Sequence, residues 1–129
     1  MSRIISLFDK ICLESKDKIA FYYTEKNEIV SKTFYDVYTE AQKIAEYLVE
    51  SGVKKGDRIL AFTTPNYKLT TFILAAFKIG VSIMYVDIFA TQDKLERLLE
   101  RSKPNYVLVS NKTKYLVKLF RGINKIGKN

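Results

Sequence analysis

Pairs of carboxylates at helical spacing are the side chains of this sequence that could most readily do chemistry. Glu46 and Glu50 form one pair, and Glu96 and Glu100 form another. Two carboxylates four residues apart on a helix can share acid–base work or hold a divalent cation. Both pairs lie opposite the apolar face of their predicted helices, so a solvated helix face is the favoured interpretation.

Asp87 is a third acidic candidate, because it directly follows the apolar run VSIMYV of residues 81–86. Open α/β sheets bind their ligands outside the carboxyl ends of the strands. An aspartate at that position can contact a ligand, but it can equally form a turn or cap a helix. The turn or cap is the more common role and is favoured here.

The composition excludes several other chemistries. The sequence has no histidine, which removes histidine bases, serine triads and most zinc sites. Its five glycines never cluster, so it has neither a dinucleotide fingerprint nor a P-loop. We therefore name no catalytic, cofactor-binding or metal-binding residue, and we expect no cofactor for this chain by itself. The one cysteine, Cys12, has apolar neighbours and is predicted to be a buried, inert thiol.

The basic side chains are concentrated at the carboxyl end. Residues 111–129 carry six of the 22 lysines and arginines and no acid, which leaves sixteen basic against fourteen acidic side chains in residues 1–110. Because the excess positive charge is concentrated in the tail, a nucleic-acid-binding surface is disfavoured. The seventeen aromatic residues could stack on bases, but they fall mostly on predicted core faces and are interpreted as packing residues. Apolar residues in the tail recur at roughly helical spacing and predict a helix over residues 113–121. Such a helix can lie on an anionic membrane or pack against another protein segment.

The elements that position these residues follow from periodicity and capping signals. Residues 3–14 predict an amphipathic helix, residues 19–23 and 28–32 a hairpin, and Thr33 caps a long amphipathic helix that ends at Gly52. Residues 59–110 predict β-α-β-α-β with right-handed crossovers. In this part, Thr64 and Pro65 are predicted to begin the first helix.

The predicted fold class is therefore α/β, with three layers and a mostly parallel sheet. The strand over residues 81–86 lacks polar alternation, which is typical of a strand covered on both faces. Residues 1–129 show no composition break and are interpreted as a single partial domain. No secretory signal or apolar run of membrane-spanning length occurs, and one free cysteine suits a reducing cytoplasm.

Several short motifs occur in the order and spacing of one enzyme family. They cover residues 16–20 (KDKIA), 33–37 (TFYDV), 52–59 (GVKKGDRI), 65–66 (PN) and 77–80 (FKIG), followed by Asp87. Together they resemble the N-terminal region of the adenylate-forming (AMP-binding) superfamily, which comprises acyl-CoA synthetases, peptide-synthetase adenylation domains and luciferases. Tyr85 and Ile88 replace the two prolines that flank the family's aspartate, so no role is carried over to Asp87.

The resemblance implies an enzyme that joins a carboxylic acid, for example a fatty acid, to ATP and then passes the acyl group to a thiol. ATP, Mg²⁺ and coenzyme A or a carrier thiol are implied for the full-length family. The phosphate loop and the metal-binding and ribose-binding segments of that family have no counterpart in this sequence. The motifs that do match are structural ones, so the resemblance transfers no functional residue.

These observations lead to three hypotheses. The chain is a truncated ligase fragment that is inactive alone, or one half of a split ligase completed by a second polypeptide, or a binding module that uses its basic tail on a membrane or nucleic acid. The first two predict an exposed sheet edge and an apolar face, and therefore self-association.

Overall fold

The fold is described by a computed structural model that covers residues 3–62, 66–86, 91–109, 115–119 and 123–128. The helices in these ranges are α1 (Arg3–Glu14), α2 (Phe34–Glu50), α3 (Tyr67–Lys78) and α4 (Gln92–Ser102). The strands are β1 (Ile19–Glu25), β2 (Glu28–Thr33), β3 (Arg58–Phe62), β4 (Ser82–Val86), β5 (Tyr106–Val109), β6 (Tyr115–Leu119) and β7 (Ile123–Lys128). None of the helices in the described ranges combines the length and the hydropathy needed to cross a bilayer.

β3 occupies the centre of a five-stranded sheet with the order β4-β3-β5-β6-β7. It pairs in parallel with β4 on one side and β5 on the other, so that Ile59 lies beside Ile83 and Tyr106. β6 and β7 extend the sheet as antiparallel strands. The α/β class and the β-α-β-α-β order are confirmed, and the parallel part of the sheet has three strands.

The helix predicted over residues 113–121 is wrong, because the structure has two strands, β6 and β7, in this tail. β6 lies antiparallel on β5, and β7 lies antiparallel on β6. Apolar spacing in so short a segment is compatible with either structure, while Tyr115 and Val117 favour strands. The edge of β5 decides the outcome, because its backbone groups would otherwise lack partners.

The hairpin and α1 form as predicted. The hairpin turns at Lys26 and Asn27, whose φ angles of 51° and 65° are those of a turn that matches the twist of the flanking strands. Thr33 caps α2 reciprocally. Its Oγ1 accepts from the Asp36 N–H at 3.1 Å, and the Asp36 carboxylate accepts from the Thr33 N–H at 2.9 Å.

The carboxyl ends of α2 and α3 share one geometry. Gly52 follows α2 with a φ of 97°, and Gly80 follows α3 with a φ of 77°. The next N–H, of Val53 or Val81, donates to a carbonyl in the last turn of its helix at 3.0 Å. This is the Schellman motif, in which a left-handed glycine folds the chain back over the helix end. Both valines thereby enter the core.

The amino end of α3 differs from the prediction. Asn66, not Thr64, is the cap, and its Oδ1 accepts from the Leu69 N–H at 2.8 Å. Asparagine is at least as good a cap as threonine, and the helix consequently begins two residues after Pro65, at Tyr67. Thr64 and Pro65 themselves lie outside the described residues.

The main core lies between the sheet and the layer that contains α2 and α3. Its buried members are Leu48, Val53, Ile59, Phe72, Ala76, Val81 and Tyr106. Leu60 points to the opposite face of the sheet by strand alternation and is also buried, so both faces of β3 are covered. The same prediction for β4 is wrong, because β4 is an edge strand and Tyr85 is 41% exposed.

Candidate functional site

The carboxyl ends of β3 and β4 mark the place where this fold type binds ligands. From β3 the chain moves to one side to form β4, and from β4 it returns across β3 to form β5. By the rule for right-handed crossovers, α3 and α4 lie on opposite faces of the sheet. In open α/β sheets the ligand crevice lies between two strand ends of this kind. The segments that follow these strands, 63–65 and 87–90, lie outside the described residues, and Asp87 is among them.

A polar cluster lies at the start of α3, the helix that follows β3. Tyr67 is 8% exposed, and its hydroxyl donates a hydrogen bond to the Glu40 carboxylate of α2. The other oxygen of that carboxylate accepts from Lys32 Nζ of β2 at 3.3 Å. Glu40 therefore joins the hairpin, α2 and α3 at one point.

Aromatic contacts complete this group, which we call the Tyr67 cluster (Phe21, Tyr23, Lys32, Glu40 and Tyr67). The Tyr23 ring stacks on the Tyr67 ring with centroids 5.1 Å apart, and the Phe21 ring meets it edge-on at 5.6 Å. Lys32 Nζ lies 5.5 Å from the centroid of the Tyr67 ring. Burial, the hydrogen bond to Glu40 and the charge of Glu40 raise the pKa of the Tyr67 hydroxyl. The hydroxyl keeps its proton at neutral pH and holds Glu40 in place, so it is not suited to act as a general base.

A buried ion pair joins α1 to α3. Lys78 Nζ lies 2.6 Å and 2.7 Å from the two carboxylate oxygens of Asp9, and 4.9 Å from the centroid of the Tyr38 ring. Cys12 lies one turn further along α1 and is fully buried, as predicted. Burial, followed by the negative charge of Asp9, raises the pKa of the Cys12 thiol to about 11. Thiolate, the reactive form, is therefore scarce at neutral pH.

The predicted carboxylate pairs lie on exposed helix faces. Glu46 and Glu50 are exposed and line an open groove of about 510 Å³ between α1, α2 and α3. Glu96 and Glu100 are exposed on α4. Throughout the described part of the chain, no three His, Cys, Asp or Glu side chains are grouped so that they could hold a metal ion. The solvated-face interpretation therefore fits the geometry of both pairs.

The GVKKGDR segment forms a joint at the amino ends of the parallel strands. These are the opposite ends from those at which open α/β sheets bind ligands. The Asp57 carboxylate accepts from the Lys54 N–H at 2.8 Å and closes a turn. The Gly56 N–H donates to the Gly80 carbonyl at 2.9 Å, and the Asp57 carbonyl accepts from the Ser82 N–H at 3.0 Å. The segment thus fastens the end of α3 and the start of β4 to the start of β3.

Asn105 ties β5 to the same joint. Its Oδ1 accepts from the Arg58 N–H at 2.9 Å, and its own N–H donates to the Arg58 carbonyl at 2.8 Å. All three parallel strands are therefore held in register at their amino ends. This motif holds the strands together, and its hydrogen bonds lie at the amino ends of the strands, whereas open α/β sheets bind ligands outside the carboxyl ends.

Neither the Tyr67 cluster nor the Asp9–Lys78 pair is visible in the sequence. Glu40 and Tyr67 are 27 positions apart, and Asp9 and Lys78 are 69 positions apart. The one available signal is Lys78 itself, a lysine near the end of an otherwise apolar helix. Its partner depends on how α1 packs, which periodicity alone does not give.

Comparisons with known proteins agree on one family. The sequence model of the AMP-binding enzyme family matches residues 8–126. The chain is 31% identical to acetyl-coenzyme A synthetase, chloroplastic/glyoxysomal, of Arabidopsis thaliana over 76% of this chain and 14% of that protein. It is 24% identical to surfactin synthase subunit 1 of Bacillus subtilis over 79% of this chain and 3% of that protein. The chain thus spans a small part of the length of these relatives.

Solved structures share the fold. The N-terminal subdomain of NpsA from Klebsiella oxytoca matches with a TM-score of 0.77 at 19% identity, over 88% of this chain and 29% of that one. The fatty acid AMP ligase from Legionella pneumophila matches with a TM-score of 0.75 at 25% identity, over 84% of this chain and 20% of that one. The first match, at its low identity, carries the fold alone.

Proposed function

Because the chain belongs to the AMP-binding enzyme family, we propose that it is the N-terminal scaffold of a ligase that activates a carboxylic acid with ATP. In this proposal the acid is joined to AMP with release of pyrophosphate, and the acyl group then passes to a thiol. Other polypeptide segments supply the groups that bind the triphosphate. This chain supplies the parallel sheet and the helices on which those segments assemble.

The observation that carries the proposal is the role of the family motifs. The capping box at Thr33 starts α2, the GVKKGDR segment joins three strands, and Asn66 starts α3. Each motif builds the scaffold, and the scattered glycines of the sequence do not form a loop that could cradle phosphate. A scaffold role therefore accounts both for what this sequence keeps and for what it lacks.

The described residues do not fit the family's cofactors. In the part of the chain that the structure describes, there is no group of acidic side chains for Mg²⁺ and no buried side-chain polar atom without a partner. We accordingly assign ATP, Mg²⁺ and coenzyme A or a carrier thiol to the complete ligase. We place the ligase in the cytoplasm, because a single free cysteine suits a reducing compartment.

We propose a fatty acid or a similar carboxylic acid as the substrate. Two relatives support this choice, an acetyl-coenzyme A synthetase and a fatty acid AMP ligase. Both names imply a simple acyl group. An ATP–pyrophosphate exchange assay should therefore use acids that range from acetate to long-chain fatty acids, with aromatic acids as a contrast.

ATP–pyrophosphate exchange on the purified chain tests the scaffold proposal. We expect no exchange above background with any acid, because the phosphate-binding groups lie elsewhere. A full-length acetyl-coenzyme A synthetase serves as the positive control under the same conditions. Robust, acid-dependent exchange by the chain alone would contradict the proposal.

A split ligase is the second form of the same proposal, in which the remaining segments are a separate polypeptide. The DNA on the 3′ side of the coding sequence gives the discriminating observation. If it encodes a Ser/Thr/Gly-rich phosphate loop, that polypeptide should co-purify with this chain and restore exchange. Unrelated sequence there, with no exchange by any mixture, counts against the split form.

A further inference from the structure

The N-terminal helix α1 has two apolar faces, of which only one is packed. Ile5 and Cys12 are fully buried, on the side from which Asp9 reaches Lys78 of α3. Ile4 and Leu7 lie on another side of the helix and are 77% and 58% exposed. A helix that serves only to cover the core needs the first face and not the second.

The second face continues for two turns and has a basic border. Ile11 extends the row at i+7 from Ile4 and is 40% exposed. Arg3 and Lys10, also seven residues apart, are exposed along the neighbouring row, and the exposed acid Glu14 shares that row in the last turn of the helix. We call the three apolar residues and the two basic ones the α1 outer face (Arg3, Ile4, Leu7, Lys10 and Ile11). An apolar strip bordered by cations is the pattern of a helix that lies in a lipid interface.

Two other occupants fit the α1 outer face less well. Three aliphatic side chains expose at most a few hundred Å², whereas a stable dimer buries roughly 800 Å² on each partner, so a second copy of the chain gains too little. The rest of a ligase would need an apolar strip but not the cations beside it, so Arg3 and Lys10 favour a lipid surface over that occupant. A lipid surface needs no such area, because electrostatic attraction adds to apolar insertion.

We propose that the α1 outer face docks this protein on an anionic lipid surface. The aliphatic side chains enter the boundary between the headgroups and the acyl chains. Arg3 extends its guanidinium group and Lys10 its ammonium group to the lipid headgroups. This inference does not rest on the proposed function, because lipid binding is measured without ATP or acid.

Co-sedimentation of the full chain with vesicles at low salt tests the inference. Vesicles of equal parts phosphatidylcholine and phosphatidylglycerol should bind the protein, and pure phosphatidylcholine vesicles should bind it at least about tenfold more weakly. The double variant Ile4→Ser/Leu7→Ser should lose at least about tenfold in affinity, and so should Arg3→Glu/Lys10→Glu. All four side chains are exposed, so the variants should keep the circular dichroism spectrum of the parent.

Matched controls make the outcome decisive. Ile29 on the hairpin is as exposed as Ile4, at 77%, so Ile29→Ser should bind vesicles like the parent. The tail variant Lys125→Gln/Lys128→Gln should do the same. Binding that is lost in the tail variant and kept in both α1 variants overturns the proposal, as does equal binding to neutral vesicles. Self-association that the α1 variants abolish also overturns it, because a second copy is then the occupant.

Discussion

Glu40 connects three elements through one carboxylate. It accepts from Tyr67 of α3 and from Lys32 of β2 while belonging to α2. Hydrogen bonds to a charged acceptor are stronger than neutral ones, and losing a partner leaves the acceptor partly desolvated without compensation. Removing a single donor to Glu40 from the Tyr67 cluster should therefore lower the free energy of unfolding.

Replacing Tyr67 by phenylalanine isolates this effect, because the ring and its stacking on Tyr23 remain. We expect the free energy of unfolding to fall by about 1–3 kcal/mol, since Glu40 loses one donor. Urea unfolding followed by circular dichroism gives the value. Tyr22→Phe is the matched control, because Tyr22 is 68% exposed on the hairpin and should change the free energy little.

The same pair of proteins reports the ionisation of Tyr67. Its pKa in the folded protein is raised above the ordinary value of 10.0, so folding favours the protonated hydroxyl. Below about pH 10 both states keep the proton and stability is unaffected; above it the unfolded chain ionises first and stability falls. The difference in unfolding free energy between parent and Tyr67→Phe should therefore narrow above pH 10. A difference that stays constant into the alkaline range contradicts the burial of this hydroxyl.

Cys12 should react slowly in the folded protein. Its pKa is raised from 9.0 to about 11, which lowers the thiolate fraction about 100-fold at pH 8. Labelling with iodoacetamide in buffer should be at least that much slower than labelling in urea, where the thiol is exposed. Equal rates would show that the packing of α1 against the rest of the protein leaves the thiol accessible.

At the scale of elements, two glycines end α2 and α3 in the same way but have different surroundings. A Cβ added to Gly52 meets no atom within 4 Å, whereas one added to Gly80 lies 2.8 Å from Lys55 Cγ. Both positions have a left-handed backbone, which costs a non-glycine residue about 1–2 kcal/mol. Only Gly80 adds a steric conflict to this backbone strain.

A double-mutant cycle separates the two contributions. Gly52→Ala should cost about 1–2 kcal/mol of unfolding free energy, and Gly80→Ala about 1 kcal/mol more because Lys55 must leave its rotamer. In the background Lys55→Ala, the second cost should fall to that of the first. Thermal or urea unfolding of the parent, the three single variants and the double variant gives the result, and an unchanged cost for Gly80→Ala in the Lys55→Ala background would refute the contact.

The cap of α3 provides a direct test between the sequence-based prediction and the structure. Asn66→Ala should cost about 1 kcal/mol, because the Leu69 N–H loses its acceptor. Thr64→Ala should cost clearly less if the helix begins where the structure has it. The reverse ranking in urea unfolding would restore threonine as the cap.

At the scale of the whole molecule, the two edges of the sheet differ in protection. β7 at one edge contains Lys125 and Lys128, and charged residues discourage edge-to-edge pairing. β4 at the other edge reads SIMYV and has no charge. We propose that β4 is the edge on which the remaining ligase assembles, or on which two copies of this chain pair when that partner is missing.

A lysine on the β4 edge should reduce this self-association. Tyr85 is 41% exposed, so Tyr85→Lys adds a charge without opening the core. Light scattering coupled to size-exclusion chromatography should show more monomer for this variant, with an association constant at least a few-fold lower than that of the parent. Tyr22→Lys, on the exposed face of the hairpin, should leave association unchanged. A parent chain that is monomeric at all concentrations contradicts the proposed edge pairing.

The sequence by itself determined most of the local structure and the family. Capping residues, glycines and apolar periods act over a few positions, so α1, the hairpin, α2 and the β-α-β-α-β order can be predicted from the sequence. The motifs that carry the family are also local, because each one builds a turn or a helix end. For the same reason they reveal the scaffold and not the substrate.

Tertiary structure alone decided which strand is central, how the tail pairs and which charges meet. Strand order is not sequence order, so β4 lies at the edge although its residues suit a buried strand. The tail becomes β6 and β7 because the edge of β5 offers backbone hydrogen-bond partners, which the apolar periodicity of the tail does not reveal. Glu40 meets Tyr67, and Asp9 meets Lys78, because packing brings distant residues together and a buried charge needs a partner close by.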